Sequence, residues 1–306
     1  MNRQINCAVA LIKINQKYLF TKRHKNPYKN FYEFPGGKIE DNETPSDAIQ
    51  RECYEELDIR LTSFNYKGRI THNYPEISVI IHIFEIISFT GIIKSKENQD
   101  IELFLPELIS GPFLDSTHRI LKYISLPRYA LITPKAYSKN RQHALHSTSN
   151  EFILRIRSLG LNEEEYINHV NYYINLYGYR CNNFMIDLKY AKLAFAYDIQ
   201  GIHYSSNDLK LLETRLDHSR SIIYSTSCHN TEEVMLANKY NFDFIYISPV
   251  QKDKFSNKKI KWDGFKYLSD KAYMPTFALG GLNINDLDES VKSSGYGISG
   301  ISNFWN

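Results

Sequence analysis

From Arg128 onward, short apolar segments typical of β-strands alternate with helical stretches, and this alternation restricts the possible folds more than any other feature of the sequence. Eight such segments are present, at residues 129–132, 152–156, 184–188, 201–203, 222–225, 244–248, 276–279 and 298–301. Strands that alternate with helices form parallel sheets, and eight strand–helix repeats close into a (β/α)8 barrel. We therefore predict an α/β protein with a C-terminal barrel.

The predicted barrel is short and looks truncated. It would occupy about 180 residues, where about 250 are usual, and the sequence ends before a helix could follow the last strand. Upstream, residues 6–125 read as strand, glycine-rich turn, helix and further strands, with a second helix at 115–124, which favours an α/β/α sandwich. The 306 residues therefore divide into two predicted domains, 1–126 and 127–306.

The composition excludes several classes of partner. With 37 basic and 34 acidic residues, the formal charge is +3, which predicts no general affinity for DNA, RNA or anionic membranes. The most apolar run, residues 77–89, is interrupted by His82 and Glu85 and is too short to span a bilayer. The sequence has no evident secretory signal, and its four cysteines form no Cys-x-x-Cys pair, so we expect a cytoplasmic protein with reduced thiols.

A helix is predicted over residues 44–57 by its start signals and its apolar face. Thr44 suits the N-cap, Pro45 suits the first helical position and Asp47 can complete a capping box. Three residues spaced four apart form the stripe that would dock this helix on a sheet: Ile49, Cys53 and Leu57.

Three glutamates share one side of this helix, next to the apolar stripe. At about 100° per residue, Glu52, Glu55 and Glu56 fall within an arc of about 100°, and Glu43 precedes them in the loop. Carboxylates this close repel one another, and a divalent cation with oxygen ligands relieves the repulsion; magnesium is preferred where a phosphate shares the coordination sphere. Arg51 can pair with Glu55 or tie Glu43 to the helix. Three glutamates alone would more often form a solvated acidic face.

The wider pattern favours a metal site. From Gly37 to Glu56 it reads G-x5-E-x7-R-E-U-x-E-E, where U is apolar, and it resembles the Nudix box at every defining position. One neighbouring position departs from that family, which normally has glycine where this chain has Asp58. The glycine ends the helix in a left-handed conformation that Asp tolerates better than most residues, so we expect an intact metal site at a modest stability cost.

The sequence around the box resembles the MutT-type 8-oxo-dGTP diphosphatases, chiefly through residues 20–23 and 33–40. This resemblance implies a Mg²⁺-dependent hydrolase, with Mn²⁺ as a substitute, that releases pyrophosphate from a nucleoside triphosphate. By position it implies catalytic and metal-binding roles for Glu52, Glu55, Glu56 and the distal Glu97, which binds metal or acts as a base. Gly37 would add a backbone ligand.

The same resemblance implies a set of substrate-binding residues: Arg23, Phe34, Lys38, Tyr74, Glu76 and Thr117. Arg23 carries a planar donor fork suited to phosphate or to a base edge. Phe34, taken alone, would more often be a core residue. The family's purine-reading Asn is missing from residues 112–118, where Thr117 or Asp115 could replace it with different donors and acceptors.

The C-terminal half resembles the thiamine-phosphate synthase/TenI barrels, through short segments that include 129–133, 227–230, 279–282 and 297–301. This resemblance implies a phosphate cradle at Gly280, Gly281 and Gly300, although tight turns would explain these glycines equally well. Catalysis is not expected here. The synthases' Gln-x-Arg-x-Lys strand is replaced at residues 153–157, where an arginine fork stands for the lysine, and their diphosphate loop is replaced at residues 251–257.

Three functions are consistent with these patterns. The leading hypothesis is a Mg²⁺-dependent pyrophosphohydrolase that removes 8-oxo-dGTP, or a related oxidised purine nucleoside triphosphate, from the nucleotide pool and so serves DNA repair. The second is a hydrolase of thiamine-related pyrophosphates, which the fusion to the barrel suggests. The third is a non-catalytic metabolite sensor, against which the complete set of glutamates argues.

Overall fold

The computed structural model describes residues 3–106, 111–134, 151–158, 160–178, 183–214, 216, 222–252 and 259–305. Contacts divide the chain into two units, Met1–Ser125 and Leu126–Asn306. Both contain helices and strands, which confirms the predicted α/β class. No helix in the described ranges is long and apolar enough to cross a membrane. Cys181 lies outside these ranges, and the other three cysteines are free thiols.

The described residues of the N-terminal unit form one mixed sheet of seven strands and two helices. They are β1 (Arg3–Ile14), β2 (Lys17–Lys22), β3 (Tyr32–Glu33), β4 (Gly36–Lys38), α1 (Pro45–Leu57), β5 (Arg60–Asn73), β6 (Ile77–Thr90), β7 (Ile101–Phe104) and α2 (Asp115–Ser125). The strand order is β3-β2-β1-β6-β5, with β4 paired to β1 and β7 paired to β2. Only β1 and β6 run parallel among these pairs.

Strand β1 changes partner along its length, and this places the double glycine beside it. Residues 7–9 of β1 pair with β4, whereas Lys13 and Ile14 pair with β2. Gly36 has a φ of +138°, and a Cβ at this position would overlap the carbonyl oxygen of Ala8. Only glycine permits this approach between the two backbones, so the pairing of β4 depends on it.

Helix α1 packs on the sheet through the predicted stripe. Ile49, Cys53 and Leu57 are fully buried, in a cluster with the alternating β1 residues Ala8 and Ala10. Because alternate strand residues point to one face, these small side chains allow the helix to approach the sheet closely. The docked stripe holds the neighbouring glutamates near β4.

Local hydrogen bonds fix both ends of α1. The Thr44 hydroxyl accepts from the Asp47 N–H, and the Asp47 carboxylate accepts from the Thr44 N–H, which completes the predicted capping box. Asp58 is the C-cap, in the left-handed region at φ +58°. Its N–H donates to the carbonyls of Cys53 and Tyr54. The helix therefore begins and ends as predicted.

The C-terminal unit is a closed barrel of eight parallel strands. In chain order they are β8 (Tyr129–Ile132), β9 (Phe152–Ile156), β10 (Asn183–Asp187), β11 (Gly201–Tyr204), β12 (Ile223–Cys228), β13 (Phe244–Ile247), β14 (Thr276–Leu279) and β15 (Gly297–Gly300). Pairing of β15 with β8 closes the ring. All eight segments predicted as strands form strands, so the short domain still has a complete barrel.

The described helices of the barrel unit are mostly brief. They are α3 (Glu163–Tyr177), α4 (Lys192–Ala196), α5 (Ser206–Lys210), α6 (Thr231–Tyr240), α7 (Lys261–Ser269) and α8 (Leu287–Lys292), with 3₁₀ turns at Leu188–Tyr190, Ile284–Asp286 and Ser302–Phe304. Large buried side chains such as Tyr166, Phe242 and Phe265 join them to the strands in one core. Because these helices are short, eight strands can close into a barrel within about 180 residues instead of the usual total of about 250.

Replacing Thr44 by Ala should loosen the first turn of α1. The variant loses the hydroxyl that accepts from the Asp47 N–H, and loss of an N-cap costs about 1 kcal/mol, which corresponds to about fivefold faster opening. Amide hydrogen exchange of the first turn measures this change. The Thr44→Ser variant keeps the hydroxyl and should exchange like the wild type. Equal protection in Thr44→Ala would contradict the capping role.

Candidate functional site

Glu56 joins three parts of the N-terminal unit. Its Oε2 accepts from the Gly36 N–H at 3.0 Å, and its Oε1 lies 3.5 Å from Gln99 Nε2. The same Nε2 lies 3.3 Å from Glu97 Oε2. The structure therefore brings the distal glutamate next to the glutamates of α1 and the double glycine.

Arg51 is the cation at the centre of this acidic cluster. Its Nε and Nη2 donate to the two carboxylate oxygens of Glu43 at 2.8 and 2.9 Å. Its Nη1 donates to Glu52 Oε1 at 2.8 Å and to Glu55 Oε2 at 3.0 Å, and Nη2 also donates to the Lys38 carbonyl at 3.0 Å. Both pairings considered for Arg51, with Glu55 and with Glu43, are present, so one side chain ties the loop to the helix.

Desolvation and repulsion from neighbouring carboxylates raise the pKa of two carboxyl groups of the cluster, Glu52 and Glu56. Burial raises the pKa of Glu56 to about 8, a backbone hydrogen bond opposes the rise, and the charges of Glu33, Glu52 and Glu97 add to it. Burial also raises the pKa of Glu52, although Arg51 lowers it. A divalent cation favours the charged form of such groups, so binding of a cation would relieve the repulsion.

The chemistry of the cluster fits a hard divalent cation. Its acidic side chains offer only oxygen atoms, which Mg²⁺ and Mn²⁺ prefer. A Cβ at Gly37 would lie 2.6 Å from Glu52 Cδ, so glycine allows the backbone to approach this carboxylate. Within the described ranges, however, no three His, Cys, Asp or Glu side chains are arranged to hold a metal. The ligand set therefore stays a prediction.

Of the predicted substrate residues, Arg23 and Phe34 are in contact with other protein side chains. Arg23 Nη1 donates to both carboxylate oxygens of Glu33 at 2.7 Å. Phe34 is only 2% exposed and packs on Phe20, with ring centroids 4.5 Å apart, as expected for a core residue. Lys38 is exposed at the end of β4. Their roles toward a substrate remain predictions.

Tyr74 contacts the start of α2, where Thr117 lies. The Tyr74 hydroxyl donates to Ser116 Oγ at 2.9 Å, and the adjacent Thr117 is 1% exposed. Glu76 is exposed in the turn between β5 and β6. His72, which the sequence reading did not single out, has its ring 4.4 Å from that of Tyr74, and its Nδ1 is buried without a hydrogen-bond partner among the described residues.

Gln99 is a second residue of the site that sequence reasoning missed. Its amide nitrogen lies between Glu56 and Glu97, and its Oε1 is buried without a hydrogen-bond partner in the described parts of the chain. A neutral amide gives no charge signal in a sequence. Its position two residues after Glu97 is the signal that could have identified it.

Protein atoms fill the space beside the three barrel glycines. Gly280 and Gly281 follow β14 with φ of +109° and +76°, and Cβ atoms there would lie 2.9 Å from Pro249 Cα and 2.7 Å from Lys252 Cβ. A Cβ at Gly300 would overlap the ring of Phe304. Close packing and left-handed backbone therefore explain Gly280 and Gly281 as turn residues, and close packing alone explains Gly300 at the end of β15; the phosphate cradle stays a prediction.

Two arginines stand in the segment that replaces the synthases' Gln-x-Arg-x-Lys strand. Arg155 lies in β9 and Arg157 lies just after it, and both donate to protein acceptors. Arg155 Nη2 donates to Asp187 Oδ1 at 3.0 Å, and Arg157 Nε donates to a backbone carbonyl just after β8 at 3.0 Å. His203 Nδ1 lies 2.8 Å from Ser225 Oγ, and burial holds the pKa of this histidine well below its usual range. Residues 253–258, most of the replaced diphosphate loop, lie outside the described residues.

Family models match both halves of the chain. The model described as "NUDIX domain" matches residues 3–122, and "Thiamine monophosphate synthase" matches residues 130–304. The 8-oxo-dGTP diphosphatase of Proteus vulgaris is 30% identical over 97 residues, which cover 31% of this chain and 87% of that protein. The 8-oxo-dGTP diphosphatase of Buchnera aphidicola is 32% identical over 117 residues, which cover 38% of this chain and 79% of that protein. The thiamine-phosphate synthase of Prochlorococcus marinus is 29% identical over 107 residues, 34% of this chain and 31% of that protein.

Replacing Arg51 by Met should destabilise the N-terminal unit. The change leaves Glu43 and Glu52 without their cation, and the side chains of these glutamates are only 14% and 13% exposed. Breaking a partly buried ion pair from one side should lower the free energy of unfolding by about 2 kcal/mol. Urea unfolding of the full chain, followed by far-UV circular dichroism, measures the loss.

The structure offers two controls for this experiment. Both tryptophans, Trp262 and Trp305, lie in the barrel unit, so tryptophan fluorescence should report an unchanged barrel transition. Lys67→Met removes a more exposed ion pair with Glu85 and should cost less than about 1 kcal/mol. Equal losses in the two variants would contradict the central role of Arg51.

Proposed function

Because this chain belongs to the Nudix family through residues 3–122 and to the thiamine monophosphate synthase family through residues 130–304, its N-terminal unit is a hydrolase of pyrophosphate bonds, and we propose that it acts on 8-oxo-dGTP or a related oxidised purine nucleoside triphosphate. The products are the nucleoside monophosphate and pyrophosphate. The identities of 30% and 32% to two 8-oxo-dGTP diphosphatases support this substrate class. The barrel has no catalytic part in the proposal.

The observation that supports the proposal most is the arrangement around the double glycine: Glu56 binds Gly36 and shares Gln99 with Glu97, and Glu52 lies against Gly37. We assign Mg²⁺, or Mn²⁺, to Glu52, Glu55 and Glu56 and to the backbone of Gly37, with Glu97 as a further ligand or as the base. When bound, such an ion polarises phosphate oxygens and lowers the pKa of a coordinated water.

The chain's own residues orient this acidic set. The Gly36 N–H holds Glu56 Oε2, so Oε1 is left to face Gln99 and Glu97. Arg51 holds Glu52 and the loop before the helix in a fixed relation. Positioning of the acidic groups before the substrate binds reduces the reorganisation needed during the reaction.

The nucleotide would extend from the acidic cluster toward the start of α2. Lys38 is exposed beside the cluster and suits a phosphate, while Tyr74, Glu76 and Thr117 are assigned to the base end together with Phe34. Arg23 can reach a phosphate or a base edge by exchanging its contact with Glu33.

We also place the reaction in the cytoplasm, without DNA, RNA or membrane as a partner. The free thiols of Cys7, Cys53 and Cys228 support a reducing compartment. The formal charge of +3 supports a small anionic substrate rather than a polyanion.

Replacing Glu55 by Gln should abolish hydrolysis while the fold is retained. The side chain is 50% exposed and the change is isosteric, but the amide cannot carry the charge that binds a divalent cation. We expect a loss of about 1,000-fold, equivalent to about 4 kcal/mol, in pyrophosphate release from 8-oxo-dGTP. A nucleotide panel with separate detection of pyrophosphate and orthophosphate measures it.

Glu85→Gln, in β6 with a side chain 44% exposed, is the matched control and should retain full activity. Addition of EDTA should stop the wild-type enzyme. Equal turnover in EDTA, or release of orthophosphate alone, would exclude the proposed reaction.

The barrel's membership of the thiamine monophosphate synthase family supports a second candidate, hydrolysis of thiamine-related pyrophosphates. Competition between thiamine pyrophosphate and 8-oxo-dGTP at equal concentrations separates the two candidates. If thiamine pyrophosphate is hydrolysed faster than 8-oxo-dGTP, the second candidate function replaces the first. Binding of either compound without hydrolysis in millimolar Mg²⁺ would instead favour a sensor.

A further inference from the structure

Asp58 occupies a position that is unfavourable for an aspartate on two counts. Its φ is +58°, in the left-handed region that glycine adopts at lower cost. It also places a negative charge at the C-terminus of α1, where the helix dipole already has its negative end. A residue with both costs needs compensating contacts.

Two lysines provide those contacts. Lys94 Nζ lies 2.8 Å from Asp58 Oδ2, and Lys96 Nζ lies 3.5 Å from Asp58 Oδ1. Lys96 Nζ also lies 4.0 Å from the centre of the Tyr54 ring. Both lysines belong to the segment between β6 and β7, so these charges join that segment to the end of the helix.

The backbone makes the same connection. The Lys94 N–H donates to the Leu57 carbonyl at 3.1 Å, and the Lys96 N–H donates to the Glu56 carbonyl at 3.0 Å. These carbonyls belong to the last turn, where an α-helix lacks partners of its own. Glu97 is the next residue, and its carboxylate reaches Glu56 through Gln99. Attachment at residues 94–96 therefore decides where Glu97 lies.

We propose that Asp58 is a positioning residue for Glu97. By holding Lys94 and Lys96 against the end of α1, Asp58 keeps Glu97 beside the other carboxylates of the site. The inference rests on the proposed hydrolase function, in which Glu97 acts only beside those groups. Repulsion from Glu56 and its neighbours would drive the exposed Glu97 outward, and the two ion pairs oppose that movement.

Amide hydrogen exchange of the full chain without added metal tests the attachment directly. Asp58→Gly removes the carboxylate and keeps the left-handed cap, so α1 should fold at least as well as in the wild type. We expect the amides of Lys94 and Lys96 to exchange about fivefold faster, the size expected for exposed ion pairs. Unchanged exchange at these amides would overturn the proposal.

Two further variants control for the chemistry of the substitution. Asp58→Asn keeps the size and the left-handed preference but not the charge, and it should behave like Asp58→Gly. Asp198→Gly makes the same change at another left-handed aspartate, at φ +51° in the barrel unit, and should leave residues 94–96 unaffected. Faster exchange in Asp198→Gly would show a general effect and count against Asp58.

Metal affinity and turnover test the consequence for Glu97. Mn²⁺ titration followed by electron paramagnetic resonance should show about fivefold weaker binding in Asp58→Gly. Pyrophosphate release should fall by a similar factor. Because Asp58 acts through Glu97 in this proposal, Asp58→Gly should cause no further loss in a chain that already carries Glu97→Gln, which is the test of a double-mutant cycle.

The failures of the two proposals differ. No hydrolysis by the wild-type chain rejects the proposed function, whereas the exchange of the Lys94 and Lys96 amides still reports on the attachment. If the wild-type chain hydrolyses the substrate, but Asp58→Gly lowers pyrophosphate release by the same factor with Glu97 and with Glu97→Gln, only the positioning role is overturned.

Discussion

Repulsion among carboxylates crowded at one end of α1 is the constraint on which the N-terminal unit depends. The apolar stripe must dock on the sheet to form the core, and docking carries Glu52 and Glu56 toward the double glycine at the same time. Arg51 makes this compatible with folding, because its guanidinium binds Glu43, Glu52 and Glu55 together. Desolvation of the carboxylates is offset by several hydrogen bonds to a delocalised cation, which suits arginine better than lysine.

The elements that could be predicted are those whose signals are local. The limits of α1 follow from Thr44 and from the spacing of three apolar residues, and the barrel strands follow from compact apolar runs. Strands β3, β4 and β7 were missed, because two to four residues carry no period of their own. β4 is a strand only because it pairs with β1. Gly36 allows the β4 backbone to approach Ala8, and no short-range sequence pattern encodes that contact.

The same distinction applies to the site. Glu52, Glu55 and Glu56 could be placed together because helical geometry fixes their relative directions. The position of Glu97 depends on how a loop attaches to the helix end, and only the family resemblance pointed to it. The family resemblance implied Arg23, whose donor fork suits phosphate, yet the fork's contact with Glu33 is a tertiary pairing that residue type cannot reveal.

Glycine has the same physical role in both units, and the comparison shows what a glycine motif can establish. At Gly281 and Gly300 the missing side chain makes room for Lys252 and Phe304, so the motif encodes packing. At Gly37 it makes room for the carboxylate of Glu52. A glycine therefore predicts that another group lies close to the backbone, and the nature of that group decides whether the glycine serves packing or a functional site. By this criterion the N-terminal unit is where the reaction belongs, because there the approaching group is charged and flanked by further carboxylates.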